Sequence, residues 1–259
     1  MDKMKEKLSV IIITKNEEKN LVDCLESVKW ADEIIVVDAF STDTTFEIAK
    51  RYTDKVFQKE WFGFADQKNY ALNLASNEWV LSLDADERVS EKLKIKLQSL
   101  LSNKFELEKF SGYKIKRDNY FLGKKIKSCG WDKDYQLRFF RKSVTKLTNR
   151  LVHEGFEVSG ETGRIKEPIL HLSYKSFKEA IEKINHYSTL EALEKSAKHK
   201  SNFITILLYP VLYFIQHFIF RYGFIDGIYG FFISLLHAWT KLLVQLKIWE
   251  LQHKTYDER

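Results

Sequence analysis

Short, unbroken apolar runs alternate with amphipathic stretches through the first hundred residues. Leu8-Ser9-Val10-Ile11-Ile12-Ile13 is a mostly β-branched run of the kind expected of a strand buried on both faces. Glu33-Ile34-Ile35-Val36-Val37-Asp38 is a second such run, and it ends on an acid. Lys55-Val56-Phe57 gives a brief third strand, and Trp79-Val80-Leu81-Ser82-Leu83 a fourth, ending at Asp84. Between them the spacing predicts helices over residues 20–29, 66–75 and 90–101. Another should run to about Arg51 from a cap at Ser41 and Thr42, with Asp43 near its positive end. Alternating strands and helices with apolar strands predict a parallel sheet covered on both sides. Ligands of such sheets bind beyond the carboxyl ends of the strands. Three polar clusters fall at those ends: Thr14-Lys15-Asn16-Glu17, Asp38, and Asp84 to Glu87.

The pattern then changes. Residues 111–172 hold short strand-like pieces rich in aromatic and basic residues, punctuated by glycines, and predict an antiparallel extension of the sheet. Residues 175–199 read as a charged helix. Phe203–Phe220 is almost wholly apolar, broken by Pro210, Gln216 and His217 and followed by Arg221. Beyond Ile225 the less apolar positions Asp226, Gly230, Ser234, His237, Lys241 and Gln245 form one narrow helical stripe. The broad remaining face needs a partner. The expected organisation is an α/β domain over residues 1–174, divided into 1–101 and 102–174 where the pattern changes. A helical, membrane-associating region covers 175–259.

Composition narrows this little. The chain has 259 residues, 44% hydrophobic and 30% charged, which is globular and not disordered. Its formal net charge of +6 is mild, but basic residues crowd positions 114–142, a region suited to phosphates of a small ligand, an anionic lipid or nucleic acid, among which charge alone does not choose. No common nucleic-acid module is legible, so nucleic acid is not an expected partner. The two cysteines show no metal-ligand spacing, and the polar residues 1–7 lack a signal-peptide core. A reducing, cytosolic setting for the catalytic part follows.

Asp84-Ala85-Asp86 is the sharpest chemical feature. Two carboxylates flanking one small residue suit a hard divalent cation. Alone, the motif also fits a solvated turn. Its context is more specific. Ser9 to Glu17, Val36-Val37-Asp38-Ala39-Phe40-Ser41-Thr42-Asp43-Thr44-Thr45, and Gln67-Lys68-Asn69-Tyr70-Ala71-Leu72 leading to Leu83-Asp84-Ala85-Asp86-Glu87 occur in that order. Together they resemble the family-2 glycosyltransferases of the GT-A fold. Gln136-Leu137-Arg138-Phe139-Phe140-Arg141, Val152-His153-Glu154 and Gly223-Phe224-Ile225-Asp226-Gly227 look most like the subgroup that glucosylates lipopolysaccharide core.

The resemblance implies a mostly parallel GT-A sheet with an antiparallel extension, and inverting transfer from a nucleotide-diphosphate sugar, UDP by default. Asp38 takes the place of the acid that contacts the nucleoside, and Thr14, Asn16 and Glu17 of further contacts to base and ribose. Gln67, Lys68 and Asn69 lie near the diphosphate or donor sugar, with Asp84 and Ala85. Asp86 resembles the chief ligand of Mn or Mg, with Asp84 at the ribose or a metal-bound water and His171 completing the metal shell. Ala39 departs from the many relatives that carry a second acid there. Glu154 stands where the family has its general base, with His153, Asp132 and Asp134 as rivals, Asp134 being expected to pair with Arg138. Trp131, His153, Arg138 and Arg141 are candidates for the acceptor side, and the two arginines also suit surface ion pairs. The implied acceptor is a lipid-linked glycan, so the tail is expected to hold the chain on the cytoplasmic face of the inner membrane. Peripheral or monotopic attachment is favoured over spanning. The competing functions are a nucleotidyltransferase, which should carry a glycine-rich loop that 14–18 lacks, and a basic membrane-associated binding protein.

Overall fold

The computed structural model describes residues 5–147 and 155–253, which divide into two compact units. The first comprises described residues 5–118, 134–147 and 155–171; the second comprises 119–133 and 172–253.

The first unit begins β1 (Leu8–Thr14), α1 (Glu18–Val28), β2 (Glu33–Asp38), α2 (Thr45–Lys50), β3 (Val56–Gln58), α3 (Phe64–Leu74) and β4 (Trp79–Asp84). After a two-residue turn come β5 (Glu87–Val89), α4 (Glu91–Leu101) and α5 (Lys104–Leu107). β6 (Gly112–Phe121) leads to β7 (Lys124–Lys125) in the second unit; β8 (Tyr135–Arg141), β9 (Thr145–Leu147), β10 (Phe156–Val158) and β11 (Thr162–Tyr174) follow. The strand order is β3-β2-β1-β4-β8-β6-β11-β5. β1 to β4 pair in parallel, whereas β8 on β4 and β6, and β11 on β5, are antiparallel. This is the expected mixed sheet of a GT-A fold. Every residue of β1 is buried because helices cover both faces. Val10 and Ile12 pack with Leu21, Leu25, Leu93 and Leu97 of α1 and α4; Ile11 and Ile13 pack with Ala71 and Leu72 of α3.

Register then positions the chemistry. Thr14 pairs with Asp38 and Ile13 with Asp84, so the carboxyl ends of β1, β2 and β4 finish level. One expectation needs correction. Ser41 and Thr42 do not cap α2, which starts at Thr45. The Ser41 hydroxyl donates back to Asp38 Oδ1 at 2.5 Å, and Thr42 N donates to Asn16 Oδ1 at 2.8 Å. A buried carboxylate three residues away offers Ser41 a stronger acceptor than a helix end offers a partner. Ser90 does cap α4, accepting from Leu93 N at 3.2 Å.

The second unit contains α6 (Phe177–Ser196), α7 (Phe203–Ile215), a π turn (Gln216–Phe220), a 3₁₀ turn (Gly223–Asp226) and α8 (Ile228–His253). Its core joins Phe121, Ile126 and Cys129 to Ile233 of α8. The polar stripe read from the sequence lies inward: Asp226, Gly230, Ser234 and Gln245 are buried. Gly230 is required there, because a Cβ would stand 1.8 Å from the Gly223 carbonyl oxygen. α8 is long and apolar enough to cross a membrane, and so is Phe203–Phe220.

Candidate active site

The rim of the first unit gathers most of the expected donor-site residues. At its centre, Asp84 is engaged by two cations. Arg138 Nη2 donates to Asp84 Oδ2 at 2.6 Å, and Lys68 Nζ stands 3.1 Å from Oδ1 without hydrogen-bond alignment. Burial opposes the charge on Asp84, but Arg138 and Lys68 outweigh it and hold the carboxyl well below the usual carboxylate range. The same Arg138 nitrogen donates to Glu87 Oε1 at 2.7 Å. Glu87 Oε2 in turn accepts from Asp84 N at 3.0 Å, closing the turn that carries Ala85 and Asp86. Arg117 extends the chain, 3.2 Å from Glu87 and 2.7 Å from Asp134. Lys68, Asp84, Arg138, Glu87, Arg117 and Asp134 thus form one alternating ionic ladder. Burial works against the Arg138 and Arg117 charges, and their carboxylate partners reverse the effect and hold both firmly protonated.

Asp86 has a neighbour of its own in His171. His171 pairs with Glu87 across the β5–β11 register, one residue beyond Asp86, and its Nε2 stands 3.6 Å from Asp86 Oδ2. A carboxylate and an imidazole this close suit a shared divalent cation. Among the described residues no cluster of three or more His, Cys, Asp or Glu forms a full metal cage. A partial donor set nevertheless fits Mg or Mn, which bind through one or two protein ligands, substrate phosphates and water. The sequence joined Asp84 and Asp86 as ligands of one cation; the geometry gives Asp84 to Arg138 and Lys68 and leaves Asp86 beside His171.

The other rim residues stitch loops together. Asp38 is fully buried and accepts from Ser41 N, Ser41 Oγ and Gln58 Nε2. Asn16 bridges the loops after β1 and β2 through Ser41 and Thr42. Its φ of 54° suits asparagine, whereas Phe40 at φ 52° is strained and half-exposed on the same rim. Glu17 N donates to Thr45 Oγ1, and Glu17 Oε2 accepts from Asn20. Buried Gln67 donates to the carbonyls of Lys59 and Glu60. Among the described residues, Thr14 Oγ1 and Gln67 Oε1 are buried without a hydrogen-bond partner, two polar atoms at the rim with capacity for a ligand.

Several expectations fare differently. Asn69 is exposed on α3, one position past Lys68. Arg138 is buried in the ladder, so its fork is not displayed to an acceptor. Asp134 pairs with Arg117, not Arg138. Arg141 pairs in register with Trp79, at the end of β4 opposite to Asp84, and lies 3.4 Å from Glu78; it is the surface ion pair, not an acceptor contact. Trp131 belongs to the second unit, where its ring stands 6.3 Å from Tyr174. His153 and Glu154 lie outside the described residues. Glu87 and Arg117 were not singled out from the sequence. Each stands among other charged residues there, Asp86 and Arg88 beside Glu87, and Lys116 and Asp118 beside Arg117, so nothing local marks them.

Comparison with known proteins decides the family. The model for glycosyl transferase family 2 matches residues 9–163. The chain belongs to this family. LpsC of Rhizobium meliloti, named a lipopolysaccharide core biosynthesis glycosyltransferase, is 31% identical over 94% of this chain and 92% of its own. An uncharacterized glycosyltransferase of Rickettsia typhi is 31% identical over 96% and 89%. Among solved structures, S. aureus TarS 1–349 in complex with UDP-GlcNAc superposes with a TM-score of 0.51 at 16% identity, covering 97% and 93%. That likeness supports the GT-A fold. A glycosyltransferase family replaces both the nucleotidyltransferase and the binding-protein alternatives.

Proposed function

We propose that this chain is an inverting, metal-dependent transferase that moves a sugar, UDP-glucose being the first donor to try, onto a lipid-linked saccharide such as lipopolysaccharide core. The carrying observation is the Asp86–His171 pair, 3.6 Å apart beside a separately neutralised Asp84. A nucleotide diphosphate brings negative charge to the rim. Lys68 lies there already, and Asp86 with His171 would hold the Mn or Mg. The metal supplies charge that holds the diphosphate and offsets charge on the leaving group. Thr14, Gln67 and Asp38 would supply base, ribose and sugar contacts. In the transfer, an acceptor hydroxyl oxygen bonds to the anomeric carbon while the bond to the diphosphate breaks with its electron pair. Glu154, by its motif, takes the hydroxyl proton. The kinship with LpsC supports a core-type acceptor, and a lipid-linked acceptor places the work at the cytoplasmic face of the inner membrane.

The test is turnover and binding with UDP-, GDP-, ADP- and TDP-sugars, with Mn, Mg or EDTA. One donor is expected to be hydrolysed or transferred in a metal-dependent way, and Asp86→Ala is expected to abolish this while the protein stays folded. No metal-dependent binding of any donor, or full activity in Asp86→Ala, overturns the reading.

A further inference from the structure

The second unit buries a small apolar core yet leaves much of its apolar surface outside. None of the residues of α7 is buried; Phe203 is 79% and Ile204 62% exposed. On α8 the small and polar stripe faces inward, while Leu235, Trp239 and Trp249 are exposed. Water is a poor solvent for a face this large and apolar.

The neighbours of α8 restrict what that solvent is. The charged helix α6 runs along α8: Phe177 meets Phe232 at 5.1 Å, Glu191 bonds Lys241 at 2.6 Å, and Lys247 bonds Asn185 and Ser188. From Phe232 to Ile248, where Ala192 packs, this contact lasts about 24 Å. A membrane-crossing α8 would drag Glu182, Lys183, Glu191 and Lys195 to bilayer depth, where each charge is costly. Both ends of the α7–α8 hairpin are also tied to polar segments. Gln252 accepts from Ser201 N and donates to the His199 carbonyl, and Asp226 accepts from Lys127 N and Ser128 Oγ. Residues 197–249 carry five Lys or Arg and a single acid, Asp226, which is buried in those bonds.

We infer that α7 and the outer face of α8 form an in-plane anchor, seated in the headgroup and acyl boundary of an anionic bilayer, with α6 on the aqueous side and no segment crossing. The inference rests on the membrane location proposed above and adds the element, its orientation and the lipid charge. Aromatic residues and cations beside an apolar face are what such an interface selects.

The full chain is tested by flotation with sealed vesicles of phosphatidylethanolamine with or without phosphatidylglycerol. Binding is expected to need phosphatidylglycerol and to fall about 10-fold or more in Leu207→Ser with Leu212→Ser. Hydrolysis of the donor by that variant should be unchanged. Orientation is read with Lys200→Cys and Tyr222→Cys, on either side of the apolar stretch Phe203–Phe220, since Cys24 and Cys129 are buried. Both new thiols are expected to react with an impermeant maleimide added outside. Flotation with Tyr222→Cys protected until detergent is added refutes the in-plane anchor but keeps the membrane location. No flotation, with a dimer that Leu212→Ser dissociates, refutes both in favour of a second copy. Binding that ignores phosphatidylglycerol refutes the anionic partner.

Discussion

Replacing Arg138 by Met removes the cation that joins Asp84 to Glu87 while keeping most of the side-chain volume. Arg138 is 5% exposed, Glu87 is wholly buried, and the two bonds of 2.6 and 2.7 Å come from one guanidinium nitrogen. After the change Asp84 retains Lys68 and Glu87 retains Arg117, so two carboxylates share two weaker, longer contacts. Removing one partner of a buried pair costs about 3–5 kcal/mol. Against a typical domain stability of about 5–15 kcal/mol, that loss is large but leaves a folded protein to measure. Urea unfolding at pH 7 should show it as a lower midpoint at unchanged slope. Because one nitrogen makes both bonds and Nε makes none, Arg138→Lys is expected to recover about half of the loss. Adding Glu87→Gln to Arg138→Met should cost less than the sum of the single changes, since the stranded charge is gone. A loss under about 1 kcal/mol, or strict additivity with Glu87→Gln, would refute the ladder as the support of the Asp84 turn.

Three further expectations follow from the same geometry. His171→Ala should weaken Mn or Mg affinity about 10–100-fold in a donor-binding titration, with the fold retained; unchanged metal affinity would remove His171 from the site. Glu33, at the other end of the sheet, is opposed by burial but held from 4.5 down to about 2 by Lys55, Ser9 and Ser76. Its depressed value means a stabilisation of about 2–3 kcal/mol that is full above pH 4.5 and fades as pH falls toward 2; Glu33→Gln should therefore differ from the parent at pH 7 and converge with it in acid. Gly230→Ala drives a methyl group into the Gly223 carbonyl and should destabilise the second unit by about 1–3 kcal/mol, read by thermal unfolding; a neutral effect would contradict the close approach.

The parallel sheet was legible because its strands are short apolar runs, β-branched in β1 and β2, separated by helical stretches with their own period. What the pattern left out are features without periodicity. β5 has three residues, too few to show alternation, yet its pairing with β11 is what sets His171 beside Asp86. The motif resemblance named His171 as a ligand without that geometric reason. The ladder was equally hidden, because Glu87 and Arg138 are 51 positions apart and nothing local links them. Ser41 shows a different limit. Its residue type suits a helix cap, but a buried carboxylate nearby takes its hydroxyl first. In the tail, the helical stripe was correctly located, while its direction was open. Periodicity gives the axis of an amphipathic helix; which side faces the protein depends on what surrounds it, and here the small residues face in.

The division of the two acids changes what metal dependence means in this site. Lys68, Arg138 and Arg117 balance Asp84, Glu87 and Asp134, so the ladder is neutral without any added cation. A divalent ion near Asp84 would also meet two protein cations close by, which lowers that carboxylate's value as a ligand. Asp86 stands beside His171 instead. Asp84→Asn and Asp86→Asn, the same chemical change two residues apart, should therefore fail differently. Asp84→Asn should lower stability, because it strands Arg138 and Lys68, while metal affinity changes little. Asp86→Asn should lose metal-dependent donor binding. Calorimetric titration of Mn with the nucleotide present, set beside urea unfolding of each variant, separates the two. If both substitutions lower metal affinity equally, Asp84 and Asp86 act as joint ligands and the ladder yields when the cation binds.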